Sequence, residues 1–102
     1  MFDVSVTQVD EDTACLNTTM YFDIELPHKN LAGYLNHLEY IVKTEVEAYT
    51  GFAAEVTVNP LYKEANIVVF KGWDPINLSN DIQDLVVAAG YARDRIEKEA
   101  KE

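Results

Sequence analysis

The sequence predicts an α+β domain, a four-stranded, mainly antiparallel sheet with two helices on one face, in the order ββαββα. Three observations predict it. Strict period-2 alternation of apolar residues runs through the first quarter of the chain and returns after residue 51. Two long stretches repeat apolar residues at steps of three and four, which is one helix face. The order strand, strand, helix occurs twice, over residues 2–49 and again over 52–101. At 102 residues with 48% hydrophobic content, the chain suits a single domain spanning residues 1–102.

Strand 1 is expected over 2–9, where Phe2, Val4 and Val6 alternate with Asp3, Ser5 and Thr7. Asp10-Glu11-Asp12 reads as a turn, because three adjacent carboxylates suit a turn better than a sheet. Strand 2 then alternates to Leu26. Leu16, Met20, Phe22 and Ile24 are expected inside, and Asn17, Thr19, Tyr21 and Asp23 outside. A strand of that length must bend, bulge or change neighbours. Pro27 ends it, having no N–H for a ladder.

Helix 1 is expected over about 29–50, with Leu31, Leu35, Leu38, Val42, Val46 and Tyr49 as its core stripe. Gly51 is placed to end it in the left-handed conformation. Strand 3 covers about 52–59 and strand 4 about 64–70, joined by a turn at Asn59-Pro60. Strand 4 is apolar on both faces, the pattern of an interior strand. The last helix begins near Leu78–Asn80, capped by Ser79 or Asn80, and buries Ile82, Leu85, Ala89, Ala92 and Ile96. Gly90 on this helix suggests close approach of another backbone.

Charge is the second informative feature. Eighteen acidic residues against eight basic ones give a net charge of −10. The first 28 residues hold six carboxylates and no Lys or Arg. Such a field repels nucleic acid and anionic membrane and attracts basic partners. Direct nucleic-acid binding is therefore not expected, since phosphate neutralisation needs a basic patch. The plainer reading of the acidity is solubility.

The chain carries no recognisable signature of site chemistry. The four glycines are far apart, so no phosphate-cradling loop is present. The single cysteine, Cys15, allows no intramolecular disulfide and suits a reducing cytoplasm. The N-terminus lacks a signal-peptide layout, and no apolar run approaches a membrane span. His28 and His37 are not spaced as metal ligands on one helix face. Asp23, Glu25 and His28 are close in sequence, but a solvated strand end explains them as well. The carboxylate pairs Asp23/Glu25 and Glu45/Glu47 read as solvent faces. No cofactor, metal site or catalytic residue is expected.

The expectation is a non-enzymatic, cytoplasmic protein-interaction domain that docks on a basic, nucleic-acid-binding surface of a larger protein. By analogy of size and charge, inhibitors from phage and mobile elements have this profile. The candidate contact residues are Asp10, Glu11, Asp12, Asp23 and Glu25, with Tyr21 as aromatic anchor. The alternatives are a small structural or regulatory subunit, including a homodimer formed through the last helix or strand 4, and a small-ligand or metal-binding protein.

Overall fold

The computed structural model describes residues 3–101, and Phe2 of the expected first strand lies outside them. Four antiparallel strands and two helices follow in the order β1 (Val4–Gln8), β2 (Thr13–Tyr21), α1 (Leu31–Thr50), β3 (Ala53–Asn59), β4 (Glu64–Gly72) and α2 (Leu78–Ala100). The sheet order is β1-β2-β4-β3, so β4 is interior, as its two apolar faces suggest.

Ladder register fixes which side chains meet. β2 pairs with β4 from Thr13↔Gly72 to Tyr21↔Glu64, with Asn17 opposite Val68 at the centre. β1 flanks β2 with Val6 opposite Leu16, and β3 flanks β4 with Val56 opposite Ile67. The numbering shift that carries β2 onto β4 carries Leu16 onto Ile67. The sheet is thus pseudo-twofold about the Asn17–Val68 pair, and β1 and β3 are equivalent edges. The repeated order of elements in the sequence has this geometric counterpart.

Alternation places one face of the sheet under the helices. Ala14, Leu16, Met20, Ala65, Ile67 and Val69 are fully covered there, against Leu38, Ile41, Val42 and Val46 of α1 and Leu85, Ala88, Ala89, Ala92 and Ile96 of α2. Burying an aliphatic side chain of this kind contributes roughly 1.5–3 kcal/mol. The expected sidedness of β2 holds: Leu16, Met20, Phe22 and Ile24 are inside, and Asn17, Tyr21 and Asp23 are exposed.

Several boundaries differ from expectation. β2 ends at Tyr21 instead of Leu26. Its partner β4 begins at Glu64, and the last bond of the ladder is Phe22 N–H donating to Lys63 O at 3.1 Å. Beyond it the alternation continues as burial, with Phe22 and Ile24 in the core, but without a neighbouring strand. Strand length therefore needs no bulge. α1 ends as expected, with Gly51 at φ 77° and its N–H on Glu47 O at 2.9 Å. Tyr49 leaves the predicted core stripe; it is 47% exposed and packs on Tyr91 of α2, ring centroids 5.7 Å apart. Ile41 takes the buried position instead.

α2 starts at Leu78, so Ser79 and Asn80 lie inside its first turn and cap nothing. The N-cap is Asn77, whose carbonyl accepts Asp81 N–H at 3.0 Å. Asp74 shapes the entry by accepting Asn77 Nδ2–H at 2.6 Å and Ile76 N–H at 3.1 Å. The Asn77 side-chain bond leads the causes that hold the Asp74 carboxyl below its ordinary range. Asp81 does more than face the helix dipole. Its carboxylate pairs with Lys71, a β4 residue buried on the helix side of the sheet, whose ammonium lies 5.8 Å from the Phe52 ring centroid.

Candidate partner-binding surface

The face of the sheet away from the helices is built from the odd positions of β1, β2 and β3 and the even positions of β4. Its charged strand residues are all carboxylates: Glu55 on β3 and Glu64 on β4, with Asp3 just before β1. Asp23 and Glu25 extend that face past the end of β2, since their neighbours Phe22 and Ile24 are buried. Between the charges lie Asn17, Thr19, Asn66, half-buried Cys15 and Val68, and Phe70 at 38% exposure. Thr19 Oγ1–H donates to Asn66 Oδ1 at 2.8 Å, which holds this polar surface in register.

The basic residues of α2 are largely engaged on the other layer. Arg95 pairs with Glu45 at 2.9 Å and Glu99 at 3.7 Å, and Arg93 with Glu97 at 3.9 Å. His37 meets Glu99 at 3.2 Å. Glu45 and Glu47, two residues apart on α1, therefore have separate tasks: Glu45 binds Arg95, and Glu47 accepts Ala54 N–H at 2.9 Å.

All six candidate contact residues are exposed, Tyr21 by 61%. They do not form one patch. Asp10, Glu11 and Asp12 make the β1–β2 turn, where Asp10 Oδ1 accepts Asp12 N–H at 2.8 Å. Tyr21, Asp23 and Glu25 lie at the opposite end of β2. A strand rises about 3.3 Å per residue, so the nine residues of β2 hold the two groups roughly 25–30 Å apart. Between them the open face mixes polar residues with Cys15, Val68 and Phe70, with no basic residue contributed by a strand.

Tyr21 borders two clefts of about 400 and 410 Å³. The first is lined by Asp3, Ser5, Asn17, Thr19 and Arg93, the second by Asp23, Tyr62, Lys63 and Glu97. Arg93 thus stands at the rim between the open face and α2, a contact the sequence alone did not signal. Among the described residues, no three or more His, Cys, Asp or Glu side chains converge as metal ligands, so Asp23, Glu25 and His28 do not form such a set. Also among the described residues, no helix is long and apolar enough to cross a membrane.

No family model, no curated protein and no solved structure matches this chain.

Proposed function

We propose that this chain is a non-enzymatic interaction domain whose open sheet face and acidic β1–β2 turn dock on a basic surface of a larger protein. The observation that carries the reading is the sign of the face: its charged strand residues are carboxylates. Both arginines are paired with carboxylates of the helical layer, Arg95 with Glu45 and Glu99 and Arg93 with Glu97. A predominantly acidic field of this kind accelerates encounter with a cationic partner and rejects anionic ones, with Arg93 and Lys63 confined to the rim beside Tyr21.

The favoured partner is a protein that itself binds nucleic acid. The two carboxylate groups are roughly 25–30 Å apart along β2, comparable to about eight phosphate spacings of one DNA strand. A basic groove built for a phosphate backbone offers positive charge over that length. Occupying it would block nucleic acid from entering, which makes the domain an inhibitor by mimicry of charge.

The test uses the tagged full chain to capture its partner, followed by competition. Duplex DNA added in excess is expected to displace the domain from the captured protein. Coexistence of domain and DNA on that protein would refute the mimicry.

A further inference from the structure

We propose that the outer edge of β1 is a docking site for an extended, cationic segment of a partner protein, which adds to the sheet as a fifth strand beside β1. The ladder fixes which amides are free. Phe22 N–H donates to Lys63 O at 3.1 Å and Trp73 N–H to Asp12 O at 2.9 Å, so even-numbered residues of β2 face β4. Thr13 O accepts Val9 N–H at 2.9 Å, so the odd-numbered ones face β1. Within β1, Ser5 and Thr7 are then used on β2, and the N–H and C=O groups of Val4, Val6 and Gln8 point outward. None of these outward groups has a hydrogen-bond partner among the described residues.

The equivalent edge at β3 is treated differently. Its outward amides at Ala54 and Val58 are occupied by α1 carboxylates, Glu47 at 2.9 Å and Glu39 at 3.1 Å. Edge strands are ordinarily blunted by charge, proline, bulges or a covering element. β1, with the sequence Val-Ser-Val-Thr-Gln, has none of the first three. The helices do not cover it either: Val6, on the helix side of the sheet, is 37% exposed although its β2 neighbour Leu16 is buried. Two of the three outward amides of β3 are occupied, while none of those of its pseudo-symmetric counterpart β1 has a partner among the described residues, and apolar side chains lie beside that edge.

Charge selects the occupant. The open edge runs between Asp3 at one end and Asp10, Glu11 and Asp12 at the other, in a quarter of the chain without Lys or Arg. A second copy carries the same carboxylates and the same net charge of −10, so self-pairing there sets like charges side by side. A cationic strand gains on both counts. Main-chain bonds supply affinity, and alternate side chains supply specificity. Its apolar residues would lie beside Val4 and Val6 on the helix side, and its Lys or Arg residues on the open face near Asp3. The free edge follows from the ladder alone; the cationic occupant rests on the basic-partner reading above.

The probe is a blocked heptapeptide, Lys-Val-Lys-Val-Lys-Val-Lys, titrated into the isotope-labelled full chain and read by amide shifts and hydrogen exchange. Protection is expected at Val4, Val6 and Gln8 and not at Ala54 or Val58. Val6→Pro in the protein should weaken binding by about tenfold, on the scale of one lost backbone hydrogen bond, and methylation of every interior amide of the peptide should weaken it further, since several donors are lost. Proline is tolerated where an edge N–H faces outward, so the fold should survive. Binding that ignores both changes overturns the edge and leaves basic docking standing. Equal binding of a Ser-Val heptapeptide that Val6→Pro abolishes overturns the cationic occupant and keeps the edge. A doubled mass in light scattering that Val6→Pro returns to 11.5 kDa assigns the edge to a second copy and overturns the proposal.

Discussion

Removing the Lys71 side chain takes the counterion from the Asp81 carboxylate, which is only 14% exposed in the intact pair. Breaking a buried pair from one side costs about 3–5 kcal/mol, a large share of the roughly 5–15 kcal/mol that holds a domain folded. Lys71→Ala is expected to show that loss in urea denaturation, and Lys71→Met with Asp81→Leu to recover most of it. Neither residue was legible as a pair. The expected strand 4 stops at about residue 70, short of Lys71, whereas β4 continues to Gly72. Tyr21 is the opposite case. The alternation of β2 placed it outside, and it is 61% exposed. Tyr21→Ala should leave stability within about 0.5 kcal/mol of the parent. If Tyr21 anchors a partner, dissociation should quicken in surface-plasmon kinetics.

Sidedness within elements was readable because period-2 and 3.6-residue patterns report burial. Element ends were not, because they depend on hydrogen-bonded neighbours. β2 stops where β4 stops, although Phe22 and Ile24 remain buried beyond it. Tyr49 has the spacing of the α1 stripe but lies at the surface, 47% exposed, with its ring tilted 53° against that of Tyr91. Strand order is also absent from local pattern, so the mostly occupied edge at β3 and the open edge at β1 could not be told apart. Glu47 reads as a solvent-facing residue, yet it and Glu39 both bind edge amides of β3. Hydrogen bonds to charged groups contribute about 1.5–3 kcal/mol. Glu39→Ala with Glu47→Ala should therefore lower the urea midpoint and, by freeing a second edge, promote concentration-dependent association visible in light scattering.

Across the whole molecule, charge was the most legible property and its grouping the least. The carboxylates of the first 28 residues look contiguous in sequence, yet β2 sends Asp10–Asp12 and Asp23–Glu25 to opposite ends of the sheet. Two separate reversals can therefore be compared, Glu11→Lys with Asp12→Lys at the turn and Asp23→Lys with Glu25→Lys at the far end. Asp10 is left intact because it holds the turn. A partner that spans the face should weaken with either reversal, and one that grips a single end with only one of them.

The salt dependence of partner binding, measured for the parent chain and for the Asp23→Lys, Glu25→Lys variant, tests the acidic docking face most directly. Exposed carboxylates at a strand end add little to folding, so the variant should keep its circular dichroism spectrum. The Debye length falls to about 8 Å at physiological ionic strength, and the parent's association rate should fall steeply as salt rises from low values. The variant should associate more slowly at low salt, with a shallower salt slope. Equal affinities and equal slopes for the two folded proteins would contradict the docking face and leave solubility as the role of the charge.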